Sequence, residues 1–164
     1  MTPIVSIVGK ANSGKTTLLV DLIGALKKSG LSVAVVKHAG EDFDIDTEGK
    51  DSWRFRQAGA EAVAVSSPRQ LAIVQTVTHD LDPEELSRSL NGRYDLIITE
   101  GFKKSNTPKI EVHRSEQGPD LISDPKQLLA VVTDEPLSVT VPQFPREDVL
   151  NIAKLIIRKV VRKE

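Results

Sequence analysis

Apolar residues fall in short runs whose period changes along the chain. Ile4, Val5, Ile7 and Val8 are grouped as in a buried strand, whereas Leu18, Leu19, Leu22, Ile23 and Leu26 recur at helical spacing. Ser29 and Gly30 end that helix, and residues 31–37 (LSVAVVK) read as a second strand, buried on both faces and therefore parallel to its neighbours. Residues 38–51 are polar and acidic, which predicts a loop. Asp51 or Ser52 then caps a short helix, DSWRFRQAG, closed by Gly59. Residues 62–66 (AVAVS) and 71–77 (LAIVQTV) are strands joined by the turn Ser67, Pro68, Arg69, Gln70, a connection short enough to require an antiparallel pair. Asp82 followed by Pro83 opens a helix to about residue 90.

The second half repeats the alternation. Leu96, Ile97, Ile98 and Thr99 form a buried strand ending in Glu100 and Gly101, residues 109–112 form another, and LLAVV at 128–132 a third. The intervening SEQGPDLISDPKQ reads as a mobile loop, and residues 138–141 as a last short strand. Residues 145–163 predict one amphipathic helix, with Val149, Ile152, Ala153, Ile156, Ile157 and Val160 inward and basic residues toward its carboxyl end. The expected architecture is α/β with three layers: a mostly parallel central sheet, some antiparallel strands, and helices on both faces.

Chemistry enters at the first strand-to-helix junction. Gly9, Lys10, Ala11, Asn12, Ser13, Gly14, Lys15 and Thr16 match G-x-x-x-x-G-K-S/T, the P-loop of nucleoside-triphosphate-binding proteins. Gly9 and Gly14 allow the backbone to turn its N–H groups inward around phosphate oxygens. Lys15 adds a point charge, the Thr16 hydroxyl is placed for Mg²⁺, and the following helix N-terminus favours an anion. Glu100, at the tip of a buried strand, is where P-loop proteins hold the carboxylate that orders Mg²⁺ or its water.

Composition narrows the picture further. The 164 residues suit one domain over 1–164 with a substantial core. A formal net charge of −1 and 4% aromatic content argue against a nucleic-acid binder. The absence of cysteine excludes disulfides, thiolate metal sites and cysteine nucleophiles. No signal-peptide pattern or membrane-length apolar run is present, so a soluble cytoplasmic protein, with neither membrane nor nucleic acid as partner, is expected.

Other polar residues carry two readings each. Lys37 and His38 lie at a strand's carboxyl end, the ligand-binding edge of such sheets, and are ligand contacts or a solvated strand end and a structural histidine. Asp44 and Asp46, two apart in an acidic loop, jointly face Mg²⁺ or are simply solvated. Trp53 is a packing anchor or a ligand contact, and Lys103 and Lys104 meet phosphate or solvent. Asp134 follows a late strand, where many GTP-binding proteins present the carboxylate that accepts from guanine; the usual N-K-x-D is absent, and a plain turn carboxylate is the alternative.

The P-loop with its double threonine (GKTTLL), VVKH ending the second strand, FDIDTEGKDS leading to RQAGA, and LIITEGFKK together resemble the MobB family of molybdopterin-guanine dinucleotide biosynthesis adaptors. The resemblance covers most of the chain. It implies GTP and Mg²⁺ as cofactors, slow GTP hydrolysis, a homodimer, and partnership with the guanylyltransferase that attaches GMP to molybdopterin, with molybdopterin itself a further partner. It carries over phosphate contacts to Gly9 through Thr17 (thus Thr17 too), Mg²⁺ contacts to Thr16 and Glu100, and further roles to Lys37, His38, Asp44 and Asp46. Lys10 stands five residues before Lys15, as in ATPases that dimerise across the nucleotide, but Ala11 and Asn12 replace the glycine pair of that variant and the role is not carried over.

Three functions compete. The first is a GTP-binding accessory protein of molybdenum cofactor maturation, at most a weak GTPase. The second is a small-molecule kinase of the same fold, disfavoured because residues 103–118 hold only Arg114 as an arginine. The third is an interaction module with a vestigial nucleotide site.

Overall fold

The computed structural model describes residues 2–90 and 92–164. The chain divides into two compact units, one running to His38 and resuming over Asp82–Glu164, the other comprising Ala39–Leu81.

The first unit is built on six parallel strands: β1 (Ile4–Val8), β2 (Val33–Lys37), and β5 to β8 (Leu96–Glu100, Lys109–Val112, Leu128–Val132, Gln143–Phe144). Their spatial order is β2-β5-β1-β6-β7-β8. β1, IVSIV, is central and buried throughout, as an unbroken apolar run in a parallel sheet requires. Its side chains alternate between two unlike layers. On one face Val5 and Ile7, with Leu96, Ile98, Ile110, Val112, Ala130 and Val132, pack against Leu18, Leu22 and Leu26 of α1 (Lys15–Lys28) and Ile152 and Ile156 of a C-terminal helix. On the other, Ile4, Ala34 and Ile97 meet Leu90 and Tyr94 beside α3 (Pro83–Ser89). There Ser6 Oγ accepts from Thr99 Oγ1 at 2.7 Å and lies 2.5 Å from Thr107 Oγ1, itself 2.7 Å from Ser105 Oγ. These hydroxyls fasten the short return from β5 to β6.

Several expectations shift. The central sheet is wholly parallel, because the antiparallel pair forms a separate sheet. β2 starts two residues late and is an edge strand with Val35 43% exposed, so it is parallel without being buried on both faces. The final strand is Gln143–Phe144 rather than 138–141. The last helix, α4, spans only Val149–Ile156, because residues 145–148 form a turn in which Asp148 N donates to Pro145 O. It then widens into a π turn, Ile157–Val161, closed by Arg162 N donating to Ile157 O. Apolar periodicity persists through both departures, which is why the sequence reads as one helix. α3 is as expected: Asp82 accepts from Glu84 N and Glu85 N, and Glu85 answers to Asp82 N, a full capping box.

The second unit holds α2 (Asp51–Gln57) and the antiparallel pair β3 (Ala62–Ser66) and β4 (Leu71–Gln75). Asp51 is the first helical residue rather than the cap, whose position Lys50 takes. Among the described residues, no helix is long and apolar enough to cross a membrane.

Candidate functional site

The carboxyl ends of β1, β5, β6 and β7 converge on the loop Gly9–Gly14. Gly9 has φ 150° and sits so tightly that a Cβ would lie 2.3 Å from the Val112 carbonyl oxygen and 2.7 Å from Ser13 Oγ. Gly14 (φ 93°) is the N-cap position of α1, with no side-chain cap and no acidic residue in the first turn, so that the helix's N–H groups face no competing carboxylate of their own. Asn12 takes the left-handed φ of 59° that completes the curl. Ser13 is fully buried with its Oγ unpaired. Such an orphaned hydroxyl inside a glycine-lined cradle fits a phosphate-binding loop.

Lys15 Nζ donates to Lys10 O at 2.6 Å, lying across the loop. Partial burial pushes this ammonium below the ordinary lysine range; Glu100's attraction opposes the shift and Lys103's repulsion adds to it. Thr16 Oγ1 donates to Glu100 Oε1 at 3.1 Å, joining the two positions assigned to Mg²⁺. Among the described residues no three His, Asp or Glu side chains cluster as a metal site. The hydroxyl of Thr16 and the carboxylate of Glu100 are hard oxygen donors of the kind Mg²⁺ takes, one or two at a time, together with water and substrate phosphates. Thr17 is exposed on the first turn of α1.

Lys37, exposed, pairs in register with Glu100. His38 donates its backbone N–H to Glu100 O at 2.9 Å, and its ring stacks obliquely on Phe102, centroids 4.6 Å apart. Gly101 allows that approach, since a Cβ there would stand 3.1 Å from His38 Cβ. Asp44 and Asp46 belong to the second unit, where both carboxylates organise their own loop. Asp44 Oδ1 accepts from Asp46 N and from Arg56 at 3.0 Å, and Asp46 Oδ1 from Thr47 N and Ser52 Oγ, each at 2.9 Å.

The segment after β6 is the feature that sequence reasoning missed. Far from mobile, it straps the P-loop. Arg114 Nε donates to Ser13 O at 3.2 Å, Gln117 Nε2 to Ala11 O at 2.6 Å, and Lys10 Nζ returns a bond to Gln117 O at 2.7 Å. The rest of the loop is hooked to buried charges on β6: Glu111 accepts from Ile122 N and Ser123 N, and Lys109, with no exposed surface, donates to Ser105 O, Thr107 O and Gln127 Oε1. Asp134, exposed just beyond β7, accepts from Ser115 N at 2.9 Å and pairs with Arg114 Nη1 at 3.6 Å. The Ser115 amide, more than Arg114, holds its carboxyl below the usual range. Its local signal is an arginine two residues beyond the carboxyl end of β6, which does not by itself name a partner.

Comparison with known proteins agrees with this geometry. Residues 4–134 match the family model of molybdopterin guanine dinucleotide synthesis protein B. A molybdopterin-guanine dinucleotide biosynthesis adapter protein of Haemophilus influenzae is 38% identical over 84% of this chain and 78% of its own length. The Escherichia coli protein of the same name is 34% identical over 96% of this chain and 93% of its own. Among solved structures, a crystal structure of molybdopterin-guanine biosynthesis protein B superposes with TM-score 0.73 at 34% identity, covering 94% of this chain and 96% of that one. Bacillus subtilis MobB gives TM-score 0.79 at 27% identity, over 96% and 98% respectively. With a family model spanning most of its length and a relative alike nearly end to end, the chain belongs to the molybdopterin guanine dinucleotide synthesis protein B family.

Proposed function

We propose that this chain is an adapter in molybdopterin-guanine dinucleotide biosynthesis that binds Mg²⁺-GTP and presents it to a guanylyltransferase. The observation that carries the proposal is the Gly9–Gly14 cradle with Thr16 bonded to Glu100 beside it. In it the loop amides and Lys15 would hold the phosphates, and Thr16 and Glu100 would hold Mg²⁺, whose chemical contribution would be neutralisation of phosphate charge. Asp44 and Asp46 shape their loop in this scheme. The arrangement binds and orients rather than cleaves, consistent with slow hydrolysis: Arg114, the sole arginine of residues 103–118, is bonded to Ser13 O and paired with Asp134. That also counts against a kinase.

A homodimer is part of the proposal. Leu71 and Ile73 share one face of the hairpin and are 61% and 57% exposed, and Phe43, Ile45 and Phe55 of the same unit are also exposed. Such apolar exposure suits a second copy.

The test is calorimetric titration with GTP and ATP, with and without Mg²⁺, followed by addition of the guanylyltransferase. Mg²⁺-dependent GTP binding and faster dinucleotide formation are expected; Lys15→Ala abolishes binding and Thr16→Val removes the Mg²⁺ dependence. Equal affinity for ATP and GTP with no gain in dinucleotide formation refutes the proposal.

A further inference from the structure

Arg114 touches two parts of the site at once. Its Nε holds the Ser13 carbonyl of the P-loop, and its Nη1 stands 3.6 Å from the Asp134 carboxylate. A Cβ on Gly14 would lie 3.3 Å from its Nη2, so the guanidinium rests against the N-cap of α1. Asp134 is the acidic group at the end of β7, with its other oxygen on Ser115 N. The neighbouring Glu135 is engaged elsewhere, its Oε1 3.3 Å from buried His113 Nε2.

The chemistry of that pair matters because guanidinium and guanine are alike toward a carboxylate. Arginine presents a planar fork of N–H donors, and the guanine edge presents its own planar pair, N1–H and N2–H₂. Adenine offers an acceptor, N1, where guanine has a donor, and repels a bare carboxylate. Resting on the proposal that this site takes a guanine nucleotide, we propose that Arg114 is the positioning residue that sets base selectivity, occupying Asp134 until guanine displaces it. Guanine binding is then an exchange of one planar donor for another. Two effects of Arg114 follow, and they act in the same direction: it competes with guanine for Asp134, and it shields adenine from the carboxylate's charge. Both compress the preference for guanine. The bond from Nε to Ser13 O ties the exchange to the P-loop, so a base that displaces the guanidinium also alters what braces the phosphate cradle.

The experiment measures affinities of the full chain for Mg²⁺-GDP and Mg²⁺-ADP by calorimetry, in the wild type, Arg114→Ala, Arg114→Lys, Asp134→Asn and the Arg114→Ala/Asp134→Asn double variant. The readout is the GDP-to-ADP affinity ratio, because loss of a cation near the phosphates weakens both ligands and cancels. Arg114→Ala is expected to raise the ratio about two- to fivefold, the equilibrium equivalent of one exposed ion pair. Arg114→Lys, retaining charge without the fork, raises it less, and carries the test if the alanine variant does not fold. Asp134→Asn lowers the ratio toward one, and in that background Arg114→Ala no longer changes it. A ratio unchanged or lowered in folded Arg114→Ala and Arg114→Lys, with the wild type preferring GDP, overturns the role of Arg114 alone. A wild-type ratio of one overturns the guanine site and this role together.

Discussion

The two units of this chain spend their apolar residues in opposite ways. In the first, Val5, Ile7, Leu18, Leu22, Ile98, Ile110 and their neighbours are sealed between sheet and helices. In the second, not one described residue between Ala39 and Leu81 is fully buried, although the stretch contains Phe43, Ile45, Phe55, Val65, Leu71 and Ile73. An isolated two-stranded hairpin is marginal in water, and a short helix adds little when it buries none of its residues. The contrast separates two tasks. On the proposed function, a phosphate cradle must be held to fractions of an ångström and so grows from the core, whereas the surface proposed for a second copy keeps its apolar side chains outside.

The same truncation in the two units should therefore have unequal costs. Leu22→Ala, in the core beneath the P-loop helix, is expected to lower stability by about 2–5 kcal/mol. Ile73→Ala stays within about 0.5 kcal/mol of wild type. Urea denaturation of both variants at low protein concentration measures the difference, and equal losses would erase the distinction between the units. Gly9→Ala comes next. Its Cβ meets the Val112 carbonyl at 2.3 Å, so the strand end must shift, at about 1–3 kcal/mol, and GTP binding disappears with it. A folded Gly9→Ala protein that binds GTP as wild type does would show that the cradle is not held by β6. Ile73→Asp tests the other unit. Sedimentation velocity is expected to shift toward monomer while GTP affinity is unchanged, and a persistent dimer would place the self-interface elsewhere.

The smallest effect is in pH dependence. Because Lys15 has a lowered pKa in the folded chain, the unfolded chain binds more protons between that value and the ordinary lysine pKa of 10.5. Stability thus gains a contribution as pH rises through that window, and none below it. Lys15→Met removes this increment, detectable as a flatter stability profile at alkaline pH. Phosphate binding favours the charged ammonium, so GTP binding there takes up protons, measurable from its dependence on buffer ionisation enthalpy.

Local grammar made much of the cradle legible. Gly9, Gly14, Lys15 and Thr16 are specified by spacing within eight residues, and IVSIV, LIITE and LLAVV announce buried parallel strands by composition alone. The antiparallel hairpin followed from a four-residue turn. What was hidden depends on contacts between residues far apart in sequence. Arg114 meets Ser13, and Gln117 meets Ala11, across about a hundred positions, and nothing near either marks the pairing. The acidic loop left two readings open, and what its carboxylates touch is again a matter of folded contacts. Asp44 and Asp46 read as Mg²⁺ contacts or as solvated charges, and spacing alone does not show that Arg56, Ser52 and nearby backbone amides bond them. The π turn at Ile157–Val161 escaped because the apolar stripe continues through it.

The hydroxyl chain Ser6, Thr99 and Thr107 beneath the return from β5 to β6 has a consequence for how such a protein can change over generations. Each hydroxyl is buried and, among the described residues, bonded to its fellows or to Ser105. Replacing one by an apolar residue strands its neighbours, at roughly 1–3 kcal/mol, while replacing the set with shapes of equal volume is nearly neutral. The polar layer and its apolar equivalent are thus two habitable states separated by single steps that are each harmful. Substitutions here should be epistatic and inherited in blocks, so that lineages differing at Ser6 differ at Thr99 and Thr107 as well.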